Sequence, residues 1–282
     1  MNKILAFVLL VFIFNSAAIS QSITSAKGSL FIIGGGKRSP ELMKTMLSTA
    51  RLEKGDYIIV LPMASSETDT AYHYVKKSLE NLCPNAIVNF NFTEQEKDKT
   101  SWLDSLKKAK LIFIAGGDQS RFMKVVLGTP IYDAIHKAYE NGATIAGTSA
   151  GAAVMSKYMI TGRELKGDTT YNATFKKVWD KNIEFTEGLG LVKSAIIDQH
   201  FIARSRYNRL LSALSQFPKW PSIGIDEATA IIVQGNKAMV AGESQVVVLK
   251  HPKQVKVSET GLIKFKNVQL SIYAAGDWFS LD

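Results

Sequence analysis

Apolar runs alternate with helix-patterned stretches over the first two thirds of the chain. Residues 30–33, 57–61, 86–88, 111–115 and 143–146 are short apolar runs without polar alternation. Runs of this kind predict strands buried on both faces of a parallel sheet. Ser39-Pro40-Glu41 opens a helix between the first two: Ser caps, Pro suits the first turn and Glu suits the positive end of the dipole. Further helices are predicted over 67–82, ending at 103–108, and over 131–139. The alternation defines an α/β class, a three-layer arrangement with a mostly parallel sheet flanked by helices. Beyond Gly224 the pattern changes. Residues 230–233, 238–240 and 246–248 are closely spaced β runs with turns such as Gly235-Asn236, which predicts antiparallel hairpins at the C-terminal edge. There is no internal repeat and no linker, so residues 21–282 read as a single domain.

The first twenty residues stand apart. Met1-Asn2-Lys3 is a short basic start, residues 4–14 are almost unbroken apolar, and Ala18 and Ser20 suit a signal peptidase. The run is short for a spanning helix, so 1–20 reads as a signal peptide cleaved before Gln21, with an uncleaved anchor as the rival. The expected protein is exported, periplasmic or extracellular, and free of the membrane after cleavage. The full chain of 282 residues is 46% hydrophobic and 21% charged, which excludes a disordered tail, a fibre and a polytopic membrane protein. Its one cysteine, Cys83, excludes an intramolecular disulfide and a multi-cysteine zinc site. The net charge of +9 is scattered, with no run of five basic residues and no interleaved aromatics, so nucleic acid is not an expected partner.

The sharpest segment is Gly147-Thr148-Ser149-Ala150-Gly151, between a predicted strand and the helix-compatible residues 152–155. A serine in a Gly-x-Ser-x-Gly turn at that junction is a nucleophile elbow, with the helix N-terminus offering unpaired N–H groups to an oxyanion. A small-residue turn in which Ser149 merely caps is the competing reading. A serine nucleophile needs a base. His73 and His136 fall inside predicted helices, and His251 precedes Pro252 near the hairpins. His200, in Asp198-Gln199-His200-Phe201, follows the apolar stretch 194–197 and belongs at the carboxyl end of a strand, on the rim that carries Ser149. A helix is predicted over 202–214. Arg204, Arg206 and Arg209 there are either a solvated face or bidentate binders of a carboxylate. A third group must orient the imidazole, and spacing alone leaves Glu164 and Asp168 both open. Gly116-Gly117-Asp118-Gln119 and Gly34-Gly35-Gly36-Lys37 follow strands but lack the full phosphate-binding patterns, so nucleotide binding is discounted.

Taken together, Gly116-Gly117-Asp118-Gln119, Gly147 through Ala152, and Asp198-Gln199-His200-Phe201 with the three arginines resemble the cyanophycinases. These are serine exopeptidases related to aspartyl dipeptidases and to the class I glutamine amidotransferase fold. Residues 31–36 and Gly224-Ile225-Asp226-Glu227 also look like that family, and the resemblance runs from about residue 28 to the C-terminus. It implies Ser149 as nucleophile, His200 as base, Glu164 as the carboxylate holding His200, and the amides of Gly117 and Ala150 as the oxyanion hole. It implies that Gln119, Asp198, Gln199, Arg204, Arg206 and Arg209 grip substrate, with Asp198 taking a guanidinium. Cyanophycin, the family's polymer, has an aspartate backbone with arginines on side-chain isopeptide links. The implied products are β-Asp-Arg dipeptides, and no cofactor or metal is implied. The glutamine of the Asp-Gln-His triplet and the trailing arginines favour this branch over the aspartyl dipeptidases. Related folds often dimerise through exposed helices, so a homodimer is an expectation. The rival readings are a dipeptidase for short aspartyl peptides, an α/β-hydrolase esterase using the same elbow, and a binding protein that has lost the chemistry.

Overall fold

The strand runs form because they are apolar on both sides. In the computed structural model, which describes residues 28–167 and 172–282, β1 (Ser29–Ile33) is buried at every position. Residues 1–20 and Asp168 lie outside the described residues. Four further strands share β1's direction: β2 (Tyr57–Leu61), β3 (Ala86–Asn89), β4 (Leu111–Ile114) and β5 (Thr144–Thr148). Their order is β1-β5-β4-β2-β3. Side chains alternate between the two faces. Phe31, Ile33, Ile58, Val60 and Phe113 pack against α1 (Pro40–Ala50) and α2 (Thr68–Leu79). Leu30, Ile32, Ile59, Ile112 and Ile145 face the other way, toward α3 (Thr100–Lys108) and α5 (Pro130–Glu140). Ser39 caps α1 as its sequence predicts, its Oγ accepting from the Leu42 amide at 3.4 Å with Pro40 in the first turn. The three layers are those expected.

The sheet grows at the β1 edge by antiparallel strands β10 (Thr229–Gln234), β11 (Lys237–Gly242) and β16 (Trp278–Ser280), making eight strands among the described residues. The third expected hairpin strand does not join them. β12 (Val246–Lys250) belongs to a second sheet with β8 (Ile196–Gln199), β9 (Ser222–Ile225) and β15 (Gln269–Tyr273), in the order β15-β12-β9-β8. Three of its strands, β8, β9 and β12, are also buried on both faces, while β15 is an exposed edge. Ile197, Ile223, Val246 and Val248 join the main core, while Val247 and Leu249 pack with Phe201, Leu210 and Leu214 of α7 (Tyr207–Gln216) and the turn before it. A run of consecutive valines has no polar side to leave in water, so it is placed between layers rather than at an edge.

Three elements set the site. α4 (Gln119–Val126) begins behind the Gly116-Gly117 turn, capped by Asp118, and α6 (Ala150–Ala153) begins behind Ser149. A hairpin of β6 (Tyr158–Glu164) and β7 (Ile183–Glu187) forms a separate two-stranded wall. The remaining hairpin, β13 (Lys253–Val257) with β14 (Ile263–Lys266), is exposed.

Candidate active site

The parallel registers bring the carboxyl ends of three strands to one point. Ile33 pairs with Thr148, and Ile114 with Gly147, so Gly34, Ala115 and Ser149 leave the sheet together. Ser149 then turns through φ 54°, ψ −109°, a conformation outside the ordinary basins of an L-residue. The elbow's glycines serve close packing: a Cβ at Gly147 would overlap the Gly151 carbonyl, and one at Gly151 would overlap the Ile114 carbonyl. The α6 backbone therefore lies directly on the strand ends, and Ser149 takes the strained turn. Its amide donates to the Ile33 carbonyl at 3.1 Å.

His200 arrives from the second sheet. It follows β8, adopts φ 48°, and its amide donates to the Gly34 carbonyl at 2.7 Å. The exit of β1 thus fixes both the serine and the histidine by their backbones. The two side chains meet: Ser149 Oγ and His200 Nε2 are 2.8 Å apart. The second ring nitrogen, Nδ1, lies 2.5 Å from Glu227 Oε1. A carboxylate accepts, so Nδ1 carries the proton and Nε2 is left to accept from the serine hydroxyl. Gly35, at φ 120°, lies flat against the imidazole, where a Cβ would overlap the ring. Burial holds the His200 pKa below the ordinary histidine value; the hydrogen bond and charge of Glu227 raise it, while the charges of Arg204 and Arg206 lower it further. The ring is therefore neutral near pH 7, the form a general base requires.

Glu227, not Glu164, holds the histidine. Glu164 Oε2 accepts from Asn182 Nδ2 at 2.8 Å and ties the hairpin wall together at the end of β6. The reason is register. β8 and β9 are parallel neighbours with Gln199 opposite Ile225, so the residues just beyond them, His200 and Glu227, emerge side by side. Asp226, the residue before Glu227, accepts from the Ile202 and Ala203 amides at 2.9 Å each and from Ser244 Oγ at 2.7 Å. It fixes the 201–206 turn, which is why the helix predicted from residue 202 begins only at Tyr207. The segment Gly224-Ile225-Asp226-Glu227 was visible in the sequence; what it lacked was a pairing partner for its strand.

The expected grip residues divide into two kinds. Asp198 is 1% exposed. Its Oδ2 accepts from Arg209 Nε at 2.8 Å, and its Oδ1 accepts from Arg209 Nη2 and from the Gln199 amide. Both oxygens are taken by the protein, so Asp198 is not placed to receive a substrate guanidinium. Arg206 Nη1 donates to Gln199 Oε1 at 2.9 Å and to its carbonyl at 2.5 Å. Gln119 Nε2 donates to the Ile160 and Thr161 carbonyls at 2.9 and 2.7 Å, pinning β6 to α4. Arg204 alone among the six is exposed. Gln119, Gln199 and the three arginines nevertheless line a cleft of about 590 Å³ that opens onto Ser149 and Gly117. Among the described residues, no backbone acceptor takes the amides of Gly117 or Ala150, which flank the serine as an oxyanion hole requires. His73 lies on α2, His136 Nε2 sits 2.8 Å from the Leu189 carbonyl, and His251 lies beyond β12; none reaches Ser149.

A hydroxyl on a strained elbow, a neutral imidazole and a carboxylate in line define a serine hydrolase of the α/β class. The match to a family model is specific: residues 30–241 match Peptidase family S51, and the chain belongs to that family of serine peptidases. The chain is 31% identical to a cyanophycinase of Nostoc sp. over 268 residues, covering 91% of this chain and 87% of that one. A cyanophycinase of Geminocystis herdmanii is 34% identical over 193 residues, 66% of this chain and 67% of that one. The fold resembles the crystal structure of a peptidase from an acI-B1 actinobacterium, with a TM-score of 0.67 at 21% identity over 91% of this chain and 98% of the other.

Proposed function

We propose that the chain is a serine exopeptidase acting on cyanophycin or related aspartyl and β-aspartyl peptides, releasing β-Asp-Arg dipeptides. The observation that carries this reading is the unbroken chain Glu227–His200–Ser149 at the mouth of an arginine-lined cleft. Ser149 Oγ attacks the aspartyl carbonyl carbon while His200 Nε2 takes the hydroxyl proton. Glu227 accepts from Nδ1 and steadies the imidazolium. The carbonyl oxygen, now anionic, accepts from the Gly117 and Ala150 amides; losing one such donor costs about 3–4 kcal/mol of barrier stabilisation. The tetrahedral adduct collapses as His200 returns the proton to the leaving amine, and water, activated by the same imidazole, releases the acyl group. Gln119, Gln199 and Arg204 face the incoming chain, and Arg204 offers a planar fork to substrate carboxylates.

The test is mass spectrometry of the products formed from purified cyanophycin and from linear aspartyl peptides. Wild-type protein releasing β-Asp-Arg, with Ser149→Ala releasing none, is the expected result. Retained hydrolysis by Ser149→Ala removes Ser149 from the role. We further propose export, on the basic start and apolar run of residues 1–20. N-terminal sequencing of protein recovered outside the cytoplasm is expected to begin at Gln21; recovery of the uncut chain in the cytoplasm contradicts it.

A further inference from the structure

With Asp198 closed off, the cleft lining contains two carboxylates, Asp118 and Glu184. Asp118 Oδ1 accepts from the Ser120 and Arg121 amides at 2.8 and 3.3 Å, which commits it to the start of α4. Glu184 is different. It stands on β7 with its side chain 25% exposed, and Oε2 accepts from Thr161 Oγ1 at 2.7 Å. Its other oxygen, Oε1, accepts from Arg163 Nη1 at 3.2 Å. Arg163 reaches it from solvent, with a side chain 68% exposed. An ion pair whose arginine is that exposed is screened by solvent and weak, so the arginine is easily displaced. The carboxylate is not, because Gln119 fastens the neighbouring strand to α4, directly behind the Gly117 turn that faces Ser149.

We infer that Glu184 is the specificity residue for a substrate guanidinium, and that Arg163 holds its place until substrate arrives. The inference rests on the proposed hydrolase reading and names the group its substrate must carry. The protein already places a guanidinium on this carboxylate, which shows which partner chemistry the position accepts. A guanidinium presents several coplanar N–H donors to one carboxylate, whereas an ammonium acts as a point charge and a neutral ureido group lacks the charge. Across the cleft the exposed cation is Arg204, whereas Arg209 is paired with Asp198. A substrate with both signs therefore has one favourable orientation, its carboxylates toward Arg204 and its cation toward Glu184.

The experiment compares kcat/KM for an isopeptide ending in β-Asp-Arg with that for its citrulline analogue, in which an uncharged ureido group replaces the guanidinium. Wild-type protein is expected to favour arginine by about tenfold to a hundredfold, as a charged hydrogen-bonded pair allows. Glu184→Gln is expected to abolish that ratio, chiefly through KM. Arg163→Ala provides a test of opposite sign: removing the internal competitor is expected to lower KM for the arginine substrate. Three results overturn the inference: no arginine preference in the wild type, the preference surviving in Glu184→Gln, or Arg163→Ala raising KM as Glu184→Gln does. Fluorophosphonate labelling of Ser149 in each variant separates a lost subsite from a lost fold. If the wild type turns over neither substrate, the hydrolase reading fails instead, so the two failures are distinguishable.

Discussion

Two carboxylates flank His200, and they differ in almost every respect. Asp198 lies two residues before it, is 1% exposed, and is held by Arg209 through both oxygens. Glu227 lies 27 residues after it, has a side chain 38% exposed, and reaches the imidazole at 2.5 Å. Proximity in sequence selects the wrong one. Alternation along β8 would put Asp198 and His200 on one face; the strand ends at Gln199, and the left-handed backbone at His200 turns its ring toward the serine while Asp198 stays inside the protein. The nearer carboxylate holds the loop in place, and the distant one serves the imidazole because its strand is β8's parallel neighbour.

The contrast can be broken by substitution. The largest expected effect is Glu227→Gln, which replaces the carboxylate by an uncharged amide whose NH2 can donate to Nδ1 and so permits the wrong tautomer. A loss of about 10³- to 10⁴-fold in kcat/KM is expected, with little change in Tm, read by steady-state kinetics beside thermal unfolding. Asp198→Asn should behave in the opposite manner. It leaves the Arg209 charge buried and unpaired, a defect worth about 3–5 kcal/mol, read as a lowered midpoint in urea. Activity should survive in whatever fraction stays folded. If Asp198→Asn were as stable as wild type but inactive, the division of labour would be wrong. Gly35→Ala ranks next: the new methyl pushes against the imidazole in a backbone conformation that disfavours a side chain. A displaced ring of this kind is expected to cost about 10²-fold in kcat/KM.

The smallest effect is in the pH profile, and its sign is informative. The active base is neutral His200, whose pKa lies below the ordinary histidine value because the ring is buried. Activity should therefore persist as pH falls below about 6.5 and decline only as the lowered pKa is crossed. Arg204→Ala removes a cation that opposes protonation, so its acid limb should move up. Residual activity of Glu227→Gln should show the limb moved down, since Glu227 is the group that raises the pKa. Equal shifts in the two variants would deny the arrangement. The same titration affects stability: the unfolded histidine binds its proton more readily, so stability declines as pH falls from the unfolded pKa toward the folded one.

Much of the fold was legible because its signal is local. Apolar runs at β1, β2, β4 and β5 and the Ser39-Pro40 start of α1 are written in a few adjacent residues. Ser149 and His200 were legible for the same reason, as residues at strand ends on one rim. The second sheet was not. Whether residues 246–248 pair with β11 or with β9 depends on layers that no single segment encodes, and Glu227's role follows from the β8–β9 pairing in the same sheet. The hairpin wall was missed too, because β6 has no clean alternation, β7 alternates over only four residues, and a register shift interrupts their pairing. Spacing left Glu164 and Asp168 both open and the family resemblance pointed to Glu164, yet the hairpin carries Glu164 to Asn182.

The central claim is that Glu227 activates Ser149 through His200. The rate at which a fluorophosphonate labels Ser149, compared in wild type, Glu227→Gln and Glu164→Gln, tests it most directly. The account predicts rapid single-site labelling in wild type and Glu164→Gln, and labelling slowed by about a hundredfold or more in Glu227→Gln. Slow labelling in Glu164→Gln with wild-type rates in Glu227→Gln, or labelling at a residue other than Ser149, would contradict it.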